Sequence, residues 1–270
     1  MKSLIRVLMT LLLPALLLAP PPASATDALA DDDVDVDADA RRPVPAIRQV
    51  VSIDTESNFG TQVLKLRFQQ PTLAGSAIFL WSQASIDGQT QNLPTFTDDR
   101  GNRYIATGNN QSDIDGRVNA AQGTAYAPNI AAGTQEITAT WTPFGDYRSV
   151  IAVEITGVSE APFLGGASSI VFTSGPGIDD ISSGRLRVNR RNALLAAVSC
   201  NVSQRNPQQT VPFVPNAGTG MTSTYTFGNY GERFDYCRFA SSLTGRVGFK
   251  EALFSSNAAD QYFTFMAVFR

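Results

Sequence analysis

Histidine is absent from all 270 residues of the chain, and cysteine occurs only twice. Without an imidazole, Ser-His-Asp and Cys-His nucleophile systems are excluded, as are zinc and iron sites that need a histidine ligand. Two thiols cannot complete an all-cysteine zinc site either. Lysine is scarce: Lys2, Lys65 and Lys250 are the only three, so nearly every cation is an arginine, the side chain whose planar fork suits carboxylate and sulfate groups. Apolar runs after Leu18 are too short to cross a bilayer as a helix. Helical periodicity is nearly missing throughout.

Met1 to Ala25 carries Lys2 and Arg6, an apolar stretch through Leu18, and then Ala23-Ser24-Ala25. That order of charge, apolar core and small residues predicts a cleavable export signal over residues 1–25, with the mature chain starting at Thr26. No cysteine sits at the cleavage site, which argues against a lipid anchor. The expected location is secreted or periplasmic, and the chain is not expected to span a membrane.

Seven aspartates and no basic residue lie between Asp27 and Asp39. Like charges on every second residue repel along an extended chain, so residues 26–45 read as a solvated acidic tether, closed by the stiff Pro43 and Pro45. Of 21 basic and 24 acidic residues, two and seven precede Arg41, which leaves 19 and 17 in the body. A body so close to neutral has no nucleic-acid footprint, which needs a strongly basic face.

Residues 46–270 are expected to form one domain. Short β-branched and aromatic runs recur between Gly, Pro, Asn and Asp clusters, which predicts an all-β fold: a jelly-roll-like double-sheet β-sandwich of about eleven strands. The expected strands are 50–52, 63–68, 76–86, 102–106, 123–126, 136–141, 149–157, 193–201, 222–227, 233–239 and 262–269. Leu64, Leu66 and Phe68 share one face, with Lys65 and Arg67 on the other. Residues 193–198 and 263–269 are apolar on both faces, as central strands covered on each side would be. The same double-sided pattern argues against an outer-membrane barrel, whose lumen needs polar residues. Trp81 reads as core. Thr97 to Tyr104 reads as a hairpin turn, and the Pro-rich stretch 207–220 as a loop that cannot be a strand. In an exported chain Cys200 and Cys237 are expected to form one disulfide, worth about 4 kcal/mol by chain entropy.

Four stretches together resemble secreted bacterial β-sandwich modules of large extracellular proteins. They are Leu73-Ala74-Gly75-Ser76 leading into the Trp81 strand, Thr97-Asp98-Asp99-Arg100-Gly101-Asn102-Arg103-Tyr104, Ala125 to Gly133 and Val150 to Val158. The resemblance covers residues 50–270 in order of elements and implies a jelly-roll-like sandwich with a surface or extracellular role. It brings no catalytic residues with it. The Pro-rich loop after Cys200 and the two cysteines depart from the pattern.

Chemistry without histidine is left to carboxylates, tyrosines and arginines. Glu154 stands in mid-strand, where it is either a satisfied structural carboxylate or the lining of a groove; a glycosidase would need a partner such as Glu136, Asp146 or Asp235. Two aromatic groups could stack on sugars or fill the core: Trp141, Phe144 and Tyr147 beside Arg148, and Tyr225, Phe227, Tyr230, Phe234 and Tyr236. Gln111 to Gly116 partly matches a calcium loop but lacks its first carboxylate and its closing glutamate, so it reads as a polar turn. Arg185, Arg187, Arg190 and Arg191 read as a solvated edge that blocks strand pairing. No cofactor or metal is expected.

The sequence therefore points to a non-catalytic module binding an extracellular partner, a polysaccharide or cell-surface component, through Trp141, Phe144, Tyr147 and Tyr230. Its alternatives are a polysaccharide lyase or glycosidase using Glu154, Tyr147 and Arg148, with Tyr230 or Tyr236 as other candidate bases and Arg238 as another candidate cation, and a structural subunit that self-associates through edge strands.

Overall fold

Alternation of apolar and charged residues becomes alternation of burial wherever one face of a strand is covered. Leu64, Leu66 and Phe68 are buried while Lys65 and Arg67 are exposed. The computed structural model describes residues 43–55, 62–87, 93–114, 118–142, 147–172, 178–201, 214–215, 222–227, 237–256 and 261–270.

Sixteen strands run through these residues, more than the eleven expected. The first eight are β1 (Ala46–Thr55), β2 (Val63–Arg67), β3 (Ala77–Asp87), β4 (Thr95–Asp98), β5 (Ile105–Ile114), β6 (Val118–Ala127), β7 (Glu136–Thr140) and β8 (Tyr147–Thr156). The second eight are β9 (Phe163–Phe172), β10 (Ile178–Val188), β11 (Leu194–Asn201), β12 (Val214–Pro215), β13 (Thr222–Phe227), β14 (Cys237–Leu243), β15 (Gly248–Ser256) and β16 (Gln261–Phe269).

All described pairings are antiparallel. The first eight strands form a five-stranded sheet, β1-β8-β3-β6-β5, and a three-stranded sheet, β2-β7-β4. The second eight form β9-β16-β11-β14-β13 and β10-β15-β12. Adding eight to each label of the first half reproduces the second, so one topology occurs twice. The repetition reaches individual hydrogen bonds. Gly75 N–H donates to Ile130 O and Ile130 N–H to Ser76 O; Asn192 N–H donates to Thr244 O and Thr244 N–H to Ala193 O. Gly75 and Asn192 hold φ of 77° and 54°, a region open to Gly and Asn at little steric cost. Both first strands also carry a bulge at the same place, between Ile47 and Gln49 and between Phe163 and Gly165.

The four sheets stack as layers with three cores. The first half closes over Leu64, Leu66, Ile78, Leu80, Ile137 and Trp141, and the second over Ile181, Leu195, Phe254, Met266 and Val268. Between them the two five-stranded sheets bury Phe79, Trp81, Ile151 and Val153 against Val198, Phe239, Phe265 and Phe269. Trp81 is core, as read. β11 and β16 are covered on both sides, which is why both of their faces are apolar. At the seam Phe79 lies 6.1 Å from Phe265 and 5.6 Å from Phe269, between ring centroids. The Phe265 ring sits over Gly166 and Gly108, where a Cβ would come within 2.7 and 3.1 Å of it.

Two expectations need correction. β4 pairs with β7 in the outer sheet and β5 with β6 in the inner one, so Thr97 to Tyr104 turns a corner between sheets instead of closing a hairpin. Its turn chemistry stands, with Gly101 at φ 72° and the Asp98 carboxylate accepting from the N–H groups of Arg100 and Asn102, the Asn102 amide and the Tyr104 hydroxyl. Within the Pro-rich stretch Val214–Pro215 does pair, with Ser255 and Phe254, at a sheet edge where proline's missing N–H costs no ladder bond.

Burial opposes ionisation of Asp98, but its hydrogen bonds outweigh burial and hold its pKa below the ordinary value. A carboxyl with a native pKa below its unfolded one contributes stability above the unfolded pKa and loses it as pH falls through the native one. Acid below about pH 4 is therefore expected to loosen this corner. Thermal midpoints at neutral and acid pH should drop further for the native chain than for Asp98→Asn; equal drops would remove Asp98 from the account.

Candidate functional site

Glu154 is fully buried. Its carboxylate accepts from Arg48 Nη1 at 2.6 Å, Gln49 Nε2 at 2.6 Å and Leu73 N–H at 2.8 Å. The β1 bulge brings Arg48 and Gln49 to it, and the loop before β3 brings Leu73. By register Glu154 pairs with Ile78 and Val268 with Leu195, so Val268 holds the equivalent place in the second half, in an apolar core. The topology does not require a charge here; the carboxylate ties the bulge to the loop. Glu154→Ala would leave a partly buried guanidinium and an N–H without their partner and is expected to cost about 3 kcal/mol. Urea denaturation measures this, and a loss below 1 kcal/mol would contradict it.

The catalytic candidates on β8 do not converge. Glu154 and Arg148 stand six residues apart on β8, about 20 Å along a strand, so no single substrate bond lies between them and Tyr147. Arg148 is fully buried, its guanidinium carbon 5.7 Å from the centroid of the Trp141 ring. Trp141 is itself fully buried in the first-half core, which places its ring there and not on an open sugar platform. Tyr147 opens β8, while Phe144, Asp146, Tyr230, Phe234, Asp235 and Tyr236 lie outside the described residues. Tyr225 and Phe227 lie in β13. Glu136 is engaged by Lys65 at 2.7 Å on the exposed face of the first half. Gln111 to Ile114 continues β5, and the rest of that expected turn, 115–116, lies outside the described residues. Cys200 and Cys237 face each other across β11 and β14 and form the expected disulfide.

A concave site that sequence reasoning missed lies where the two halves meet. A cleft of about 210 Å³ is lined by Pro43, Val44 and Pro45, by Gly157, Val158 and Ser159, and by Arg190, Arg191, Asn192 and Arg270. Hydrogen bonds fix the walls around Arg190–Asn192 and Arg270. Thr244 pins the Arg190–Asn192 turn by accepting from Asn192 N–H at 2.8 Å and donating its hydroxyl to Arg190 O at 3.1 Å. Arg270 N–H donates to Pro162 O, and Ser159 N–H to Arg270 O. Gly157 sits at φ 70°, where a Cβ would collide with the Val44 carbonyl, so only glycine lets residues 43–45 pass.

Three arginines thus meet an apolar floor, and no acidic side chain lines the cleft among the described residues. At the equivalent places the first half carries Leu73, Ala74 and Thr156, so the double sandwich itself does not demand arginine there. Guanidinium forks beside an apolar wall can hold a planar anion bidentately. No tyrosine, cysteine or lysine is among the described lining residues either, and Ser159 is the one side-chain hydroxyl among them. The edge reading holds for Arg185 and Arg187, which lie on the edge strand β10, and needs correction for Arg190 and Arg191, which the following turn carries into the cleft.

A second cavity, about 330 Å³, opens between the sheets of the first half beside Leu93, Pro94, Phe96, Tyr104 and Ala125. Its hydroxyls are already engaged, Tyr104 with Asp98, Thr124 with Thr107 and Ser82 with Gly123 O. That leaves an apolar lining with little to orient a ligand. No family model matches this chain, and neither a curated protein nor a solved structure does.

Proposed function

We propose that the protein is an exported, non-catalytic β-sandwich binder of an anionic extracellular polymer, a polysaccharide carrying carboxylate or sulfate groups, held at the cleft between the halves. The observation that carries this reading is the convergence of Arg190, Arg191 and Arg270 on one apolar-floored cleft, at places where the equivalent half has no charge. Buried Glu154 and Arg148, far apart on one strand, support a binder over a lyase or glycosidase. The export signal expected over residues 1–25 and the disulfide agree with a role outside the cytoplasm.

The test is one chromatographic run of mature residues 26–270 with polygalacturonate, dextran sulfate and neutral dextran. The expected result is co-migration with the two acidic polymers, reversed by salt, and unchanged polymer length. Shortened polygalacturonate would replace this reading by a lyase. Co-migration with none of them, together with self-association, would replace it by a structural subunit.

A further inference from the structure

The basic run that ends in the cleft begins on the outer face of the second half. Register pairs Arg187 with Phe249 and Arg185 with Glu251, which places these four side chains on one face of the β10-β15-β12 sheet, opposite Leu186 and Val188. Phe249 is 70 % exposed, more than any other large apolar residue described. Arg185 is held by Glu251 at 3.1 Å. Arg187 faces an aromatic ring where the equivalent pair of the first half is Arg67 and Glu136. That Glu136 is engaged by Lys65, so the fold satisfies this position with a charge in one half and exposes a phenylalanine in the other. Arg187 and Arg190 are three residues apart, at most about 10 Å of backbone.

We infer that the cleft is one end of an extended site, and that its ligand is a carboxylated polysaccharide running from Arg270, Arg190 and Arg191 past Arg187 to stack on Phe249. The inference rests on the anion-binding reading of the cleft and narrows its ligand. A sugar ring offers an apolar C–H face to an aromatic ring, and a uronate adds a carboxylate for a guanidinium. An arginine beside an exposed ring meets both groups. The Arg185–Glu251 pair closes the run on the far side.

Calorimetric titration of mature protein with oligogalacturonates from dimer to octamer tests it, with polyglutamate as the peptide control. The native chain is expected to bind the octamer at least tenfold more tightly than the trimer. Phe249→Ala should remove most of that gain, leave trimer affinity within twofold and leave the thermal midpoint unchanged, because the ring is exposed. Arg187→Gln should act on the octamer in the same direction. Equal affinity for all lengths, an octamer affinity that Phe249→Ala does not change, or polyglutamate bound as tightly as the octamer would overturn the extended polysaccharide site and leave the cleft standing. Failure of every oligomer to bind would overturn the cleft reading and this one with it.

Discussion

Replacing Arg191 and Arg270 together by glutamine is expected to weaken polygalacturonate binding by about a hundredfold while the protein stays folded. A hydrogen bond to a charged group is worth about 1.5 to 3 kcal/mol, and 1.4 kcal/mol is a factor of ten, so two guanidinium contacts account for that loss. Folding should be spared because the anchors of both residues are in the backbone: Arg270 keeps its bonds with Pro162 and Ser159, and the neighbouring Asn192 keeps its own with Thr244. The side-chain bond forfeited is from Arg270 Nε to Ala161 O, which is exposed. Arg103→Gln, an exposed change in the first half, should leave binding unaltered. Titrating both variants against polygalacturonate at two salt concentrations checks the prediction. Equal affinities for the native and doubly substituted chains would end the case for the cleft.

The second large effect is on stability. Phe79→Ala is expected to cost about 3 to 5 kcal/mol, the range for emptying a fully buried aromatic site, because the cavity opens where both halves pack and neither can close it alone. Phe79 contacts both Phe265 and Phe269 across the seam, so its loss withdraws support from β16 as well as β3. Trp81 lies at the seam and Trp141 in the first-half core, so tryptophan fluorescence follows the first half and the seam while far-UV circular dichroism follows both halves. The two signals should unfold together in the native chain, and the Phe79→Ala transition should move to lower urea. A loss under 1 kcal/mol, or halves that already melt apart in the native chain, would contradict a seam that works as core.

Much of the secondary structure was legible because it is written locally. The alternation of Leu64 to Phe68, the double-sided apolar pattern of β11 and β16, and the turn residues around Gly101 each reflect one strand or one turn. The strands that were missed read poorly for physical reasons. β9 contains Gly165 and Gly166, β10 is polar and carries bulges, and β15 breaks its alternation with exposed Phe249. The duplication stayed hidden because equivalent places hold unlike residues, Phe79 with Ala196, Trp81 with Val198 and Glu154 with Val268. Packing tolerates such exchanges when the total volume is kept, so topology repeats where sequence does not.

The residues of the candidate site were all visible, but their meeting was not. The cleft joins residues 43–45, 157–159, 190–192 and 270, and the Glu154 network joins residues 81 to 106 positions apart. By itself the sequence determined the all-β class, the alternation of its strands and the chemistry that a chain without histidine cannot perform. Only the tertiary structure decided that Glu154 is enclosed and that Arg190 and Arg191 share a cleft with Arg270. Backbone propensity and side-chain period act over a few residues, whereas register, bulges and the stacking of one sheet on another set which distant side chains touch.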